Sequence, residues 1–137
     1  MSPELVCLAL TVYMEAREEP LPGQLAVAQV VLNRVEDERY PDTICDVVTQ
    51  GSPPGDALPA RKDCQFSWRC DGKPDKPYDA LAWQRSIVVA KLALIGARLP
   101  EVGNATHYHA DYVSPSWARG CELIAKIGRH IFYLERA

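Results

Sequence analysis

The stretch Tyr13-Met14-Glu15-Ala16-Arg17 closes the first apolar run and sets an acid beside residues of core type. If Leu5 to Arg17 is one helix, Leu5, Leu8, Ala9, Val12 and Ala16 share a face at about 100° per residue. Glu15, two turns beyond Leu8, then falls on the border of that stripe. A carboxyl so placed is half withdrawn from water. Desolvation disfavours its charged form and lifts its pKa toward the range of a proton donor. The alternative is a surface glutamate, solvated or paired with Arg17.

Other groups could hold a substrate for that acid. Cys64-Gln65-Phe66-Ser67-Trp68-Arg69-Cys70-Asp71-Gly72 has two cysteines bracketing polar and aromatic side chains, as in a braced, presenting loop. Trp68, Tyr108, Tyr112 and Trp117 offer faces for pyranose rings, while Gln65, Ser67, Asn33 and Thr106 could bond hydroxyl and N-acetyl groups. The competing role for the aromatics is core packing. Cys64, Cys70, His107 and His109 can be written as a Cys2His2 set, but five residues separate the cysteines, off the usual knuckle pattern. No cysteine stands at a helix start beside a base, and no glycine-rich phosphate loop occurs. No metal and no cofactor are expected.

The elements that must carry these groups are mostly helical. Ser2-Pro3-Glu4 is a helix start, with a cap, a proline at the first position and an acid in the first turn; Pro20 and Pro22 require a stop by Glu19. A second helix, from Pro22 or Gly23 to Val35, is apolar nearly all round and should be central. Its Gln29 and Asn33, four apart, stack on one face and must find partners, in the protein or beside Glu15. Thr43 to Gln50 predicts a short helix with Asp42 as a possible cap, Gly51 to Asp63 a surface loop, and Tyr78 to Leu94 a third long helix. Ala105 to Val113 and Lys126 to Leu134 alternate and predict an antiparallel pair. The fold expected is α+β, with helices first and a small antiparallel sheet last, in one domain spanning residues 1–137.

A chain of 137 residues with 47% apolar and 24% charged residues sets disordered and collagen-like classes aside. A net charge of −3, without a long Lys/Arg block, gives no footprint for nucleic acid. No segment is long enough to span a bilayer, and a monomer is expected. The Val6 to Met14 run lacks a basic leader and a cleavage site, so it is not read as a signal peptide. The five cysteines cannot all pair within the chain. Cys7 and Cys121 read as buried small hydrophobes, and one disulfide among Cys45, Cys64 and Cys70 is plausible outside the cytosol.

Taken in order, several stretches together carry a family likeness. They are Leu8 to Arg17 with Glu19-Pro20; Gly23 to Val35, with Gln24, Gln29, Asn33 and Arg34; Tyr40-Pro41; Ile44 to Val48; Cys64-Gln65-Phe66-Ser67-Trp68; Ala105-Thr106-His107-Tyr108-His109; and Ile127 to Tyr133. On these the chain resembles the SleB-type cell-wall hydrolases, the spore-cortex-lytic transglycosylases. It departs from their Glu-Ala-Arg-Gly-Glu-Pro pattern in having Glu18 for the glycine, which adds a charge beside the site. The resemblance implies a lysozyme-like domain acting on peptidoglycan strands, with Glu15 as general acid. It further implies cleavage between N-acetylmuramic acid and N-acetylglucosamine that leaves a 1,6-anhydro end. Gln65, Ser67, Trp68, Thr106, His107, Tyr108 and Asn33 are then expected to position the sugar, and Glu19 to orient the neighbouring loop. A water-using muramidase would need a second acid about 5–9.5 Å away, from Glu19, Glu36 or Asp111. A non-catalytic glycan-binding module is the alternative outside enzymes. The expected place of action is the cell wall or periplasm, in a phage lysin released by a partner or a trimmed form of a bacterial enzyme.

Overall fold

The computed structural model describes residues 1–52 and 64–136. The surface-loop expectation for Gly51 to Asp63 therefore lies largely outside the described residues. Among these residues, four α-helices and a three-stranded sheet form an α+β fold: α1 (Pro3–Ala16), α2 (Leu21–Glu36), α3 (Ile44–Val48), α4 (Ala80–Leu94), β1 (His107–Ala110), β2 (Cys121–Ile127) and β3 (His130–Glu135). Helix α1 starts as its sequence dictates: the Ser2 hydroxyl accepts the Leu5 N–H at 3.2 Å, with proline in the first turn. The cap of α3 is Thr43, whose hydroxyl accepts the Asp46 N–H, in place of Asp42. Asp79 caps α4.

Helix α2 is central. Val27 and Val31 are fully buried; Val31, with Leu8 and Val12 of α1 and Val89 of α4, belongs to the larger core. Ala26 and Val30 meet Val102, Ala105 and Phe132 in a second core under the sheet. Between these, Gln29 and Asn33 grip the segment that leads into β1. Gln29 Nε2 donates to the Leu99 and Gly103 carbonyls, and its Oε1 accepts the Leu99 N–H at 2.7 Å. Asn33 Nδ2 donates to the carbonyls of Gly103 and Ala105. The two amides satisfy backbone; they do not reach toward Glu15. Gln29→Leu should strand the Leu99 N–H, while the Leu99 and Gly103 carbonyls keep the Val102 N–H and Asn33 as donors, lowering stability in urea melts by about 1–3 kcal/mol.

The expected antiparallel pair is β1 with β3, and a third strand, β2, joins it. The sheet order is β1-β3-β2, all antiparallel. Lys126 to Leu134 is a hairpin, not one strand: Ile127 pairs with His130 across Gly128-Arg129. Gly128 has φ +57°, the left-handed geometry that a two-residue hairpin takes at its first turn position. Strand β2 was not foreseen because a register shift between Leu123 and Ala125 breaks its alternation.

Cys7 is bonded to Cys45, joining α1 to α3, and Cys64 to Cys70. Cys7 is thus not the free buried hydrophobe expected, and Cys121 is a part-exposed free thiol on β2. Among the described residues, no helix is long and apolar enough to cross a membrane.

Candidate active site

Glu15 stands in the last turn of α1, next to fully buried Val12 and nearly buried Ala16, and is itself only part-exposed. Burial is the main influence on its carboxyl and pushes the pKa from 4.5 to about 7. The Tyr108 hydroxyl and then the Arg34 charge pull in the opposite direction without overcoming it. Tyr108 Oη makes no hydrogen bond of good geometry and remains buried without a partner. It approaches Glu15 closely enough to favour the carboxylate, yet is not locked to it. Glu15 is therefore an acid poised to hold or release a proton near neutrality.

Glu15 lines two cavities. One, of about 210 Å³, is walled by Arg34, Gln65, Ser67, His107, Tyr108 and Trp117. The other, of about 240 Å³, is walled by Arg17, Glu19, Ala110, Tyr112, Arg129 and His130. Among the described residues Glu15 alone lines both. A larger cavity of about 920 Å³ between the start of α2 and α4 does not reach Glu15.

Of the sugar-positioning residues expected from sequence, Gln65, Ser67, His107 and Tyr108 share the first cavity with Glu15. Thr106, Trp68 and Asn33 do not. Thr106 is 1% exposed and works from behind. Its hydroxyl accepts the Glu135 N–H and lies 3.0 Å from His107 Nδ1, while His107 Nε2 stands 3.7 Å from Glu135 Oε1. Trp68 is packed beside Phe66 in the helical core, where its face is closed to a ligand. The exposed indole is Trp117, which packs against His107 and His109 with centroids 5.0 and 5.7 Å away. His107 and His109 lie on one face of β1, as their spacing requires, and both pack against this indole.

In the sequence Arg34 stands out only as part of the Gly23 to Val35 stretch. It is 3% exposed, donates from Nε to the Thr106 carbonyl at 2.7 Å, and lies over the rings of Tyr40 and Phe66. Its Nη1 is buried without a partner. The signal was available: a cation inside a helix apolar on every side must serve something buried.

The candidate second acids separate clearly. Glu36 faces cavities that Glu15 does not line, and Asp111 pairs with Lys126 at 3.3 Å. Glu19 shares the second cavity with Glu15.

Because the Tyr108 hydroxyl favours the Glu15 carboxylate, Tyr108→Phe should raise the Glu15 pKa further. If Glu15 acts as the acid, the alkaline limb of the pH–activity profile then moves to higher pH. Stability should change little where Glu15 is protonated and fall where it is ionised, since the carboxylate then loses the hydroxyl that favours it. A pH profile paired with a urea melt reads both.

A family model described as cell wall hydrolase matches residues 18–133, beginning just after Glu15. A spore cortex-lytic enzyme of Oceanobacillus iheyensis is 32% identical over 132 residues, covering 94% of this chain and 41% of that protein. One from Halalkalibacterium halodurans is 29% identical over 129 residues, covering 94% of this chain and 34% of that protein. The chain thus spans well under half the length of these curated relatives. Among solved structures, the catalytic domain of the germination-specific lytic transglycosylase SleB from Bacillus anthracis superposes with a TM-score of 0.68 at 30% identity, covering 97% of this chain and 96% of that one. The catalytic domain of the Bacillus cereus SleB protein gives 0.62 at 26% identity, covering 95% and 88%.

Proposed function

The chain belongs to the cell wall hydrolase family, and from that premise we propose that it is a peptidoglycan-cleaving lytic transglycosylase with Glu15 as its single acid and base. The observation that carries this is Glu15 itself: its carboxyl is raised to about 7 and the residue lines both cavities, so a glycan strand laid through both would pass beside it.

In the first step the protonated Glu15 gives its proton to the oxygen between N-acetylmuramic acid and N-acetylglucosamine, and the bond from that oxygen to C1 breaks. In the second, the muramic C6 hydroxyl closes onto C1 and passes its proton to the Glu15 carboxylate. The enzyme returns to its starting form without consuming water, and the product ends in a 1,6-anhydro ring. Between the steps Glu15 is an anion, and the Arg34 guanidinium behind it lowers the cost of that charge. Gln65, Ser67 and His107 line the space where hydroxyl and N-acetyl groups need partners, and Trp117 offers its exposed indole for stacking.

A water-using muramidase with the same Glu15 is the second reading, favoured by the presence of Glu19 in the shared cavity. Mass spectra of fragments released from purified peptidoglycan separate the two: anhydro ends are lighter by one water than reducing ends. Binding without release of fragments would leave only a glycan-binding module. Two disulfides in the fold support action in an oxidising setting such as the cell wall.

A further inference from the structure

The second cavity holds a pair of side chains that the proposed chemistry has not used. Glu19, in the link between α1 and α2, is fixed on several sides. Its N–H donates to the Ala16 carbonyl at 2.9 Å, its carbonyl accepts from Gln24 Nε2 at 3.0 Å, and its Oε1 accepts the Arg129 N–H at 2.7 Å. The last contact needs Gly128, because a Cβ there would stand 2.7 Å from Oε1. The carboxylate is thereby pinned to the β2–β3 turn.

His130 follows that turn, is 8% exposed and lines the cavity. Its Nδ1 is buried with no hydrogen-bond partner and lies 3.6 Å from Glu19 Oε1. That is too long for a hydrogen bond, but near enough for the carboxylate to draw the ring proton to Nδ1. The ring is held against Tyr108 at 5.3 Å and Phe132 at 6.3 Å between centroids. Nε2, on the opposite edge, is not among the buried unpartnered atoms, and no hydrogen bond to it is found among the described residues. Burial, the largest influence on His130, favours the neutral ring against the pull of Glu19 and Asp111, and His109 acts in the same sense as burial. A neutral ring with its proton on Nδ1 presents a lone pair at Nε2.

We propose that His130, oriented by Glu19, binds substrate in the second cavity, with Nε2 accepting a hydrogen bond from a sugar hydroxyl next to the bond cleaved. The inference rests on the glycan-cleaving reading and extends it to the side of Glu15 away from Gln65 and Ser67. It also gives the Glu19 carboxylate a role other than that of a second catalytic acid: Glu19 is a positioning residue acting through His130.

The test uses 15N-labelled protein carrying Glu15→Gln, titrated with a peptide-free tetrasaccharide of alternating N-acetylglucosamine and N-acetylmuramic acid. Imidazole correlation spectra are expected to show His130 protonated at Nδ1 before addition, with the Nε2 resonance moving as the glycan binds. Glu19→Gln, which keeps an acceptor for the Arg129 N–H but loses the anion, should shift the tautomer toward Nε2–H. In the otherwise unaltered enzyme, His130→Ala should raise KM about tenfold with little change in kcat, and His130→Gln, which retains an acceptor, should recover part of the loss. Melting curves identify any variant that has merely unfolded, and the spectra read His130 without a substitution at that position. A ring protonated at Nε2, or glycan that shifts Ser67 and Tyr108 signals but leaves His130 unmoved, would overturn the proposal. If the unaltered protein releases no fragments but the tetrasaccharide still moves His130, the cleavage reading fails while this binding role stands.

Discussion

Glu15→Gln should leave a folded protein that no longer clears a suspension of peptidoglycan, with fragment release reduced roughly a thousandfold or more. The amide cannot deliver a proton to a leaving oxygen, and among the described residues no other carboxyl lines both cavities. The same substitution should change stability in a direction opposite to ordinary damage. The folded protein holds the Glu15 proton up to about pH 7, whereas the unfolded chain releases it near the ordinary value of 4.5. Folding stability is therefore intact below pH 4.5 and declines as pH rises through 7, by at most about 3 kcal/mol. Glutamine does not ionise and avoids that loss. Urea melts should find the variant close to the parent at pH 4 and more stable than it at pH 8. Undiminished fragment release would remove Glu15 from the chemistry. A stability gap that is the same at both pH values would mean the carboxyl is not desolvated.

The part-buried placement of Glu15 was legible because an amphipathic helix fixes direction as well as burial: a residue two turns beyond a core leucine has one place to be. Helices α1 and α4 were legible for the same reason, α2 by its nearly unbroken apolar run, and the cap of α1 by Ser2; the Asp79 cap lies inside the Tyr78 to Leu94 range expected for α4. Groups that depend on three-dimensional closure were harder to assign. Thr106, Trp68 and Asn33 carry the right chemistry for a sugar, but each is spent on the protein: Thr106 on His107, Trp68 on the core, and Asn33 on the 103–105 backbone. Nothing in a linear pattern distinguishes an amide that meets a ligand from one that meets a carbonyl seventy residues away. The hairpin at Gly128 hid inside a run that alternates through its own turn, and the irregular register of β2 erased the alternation that would have revealed it. His130 was visible as a residue; its burial was not.

Disrupting the bond between Cys7 and Cys45 should be the most costly change to stability. Helix α3 has only five residues, too few to persist alone, and it is held to α1 by Ile44, Val47 and Val48 in the core and by the disulfide. The bond joins residues 38 apart, and closing a loop of that length restricts the unfolded chain by about 3–4 kcal/mol. The Cys64–Cys70 bond spans six and should contribute less, about 2 kcal/mol. Cys7→Ala combined with Cys45→Ala should therefore lose about 3–4 kcal/mol in urea melts, and adding reductant to the double variant should cost only the smaller increment. Activity at low temperature should survive, because Cys7 lies two turns before Glu15 and the walls of both cavities come from elsewhere. A thiol count checks the premise directly: denatured protein should react at one thiol, Cys121, without reductant and at five with it. Three or more reactive thiols before reduction would mean that at least one of the two bonds is open in solution, and the predicted loss on substitution would shrink with it.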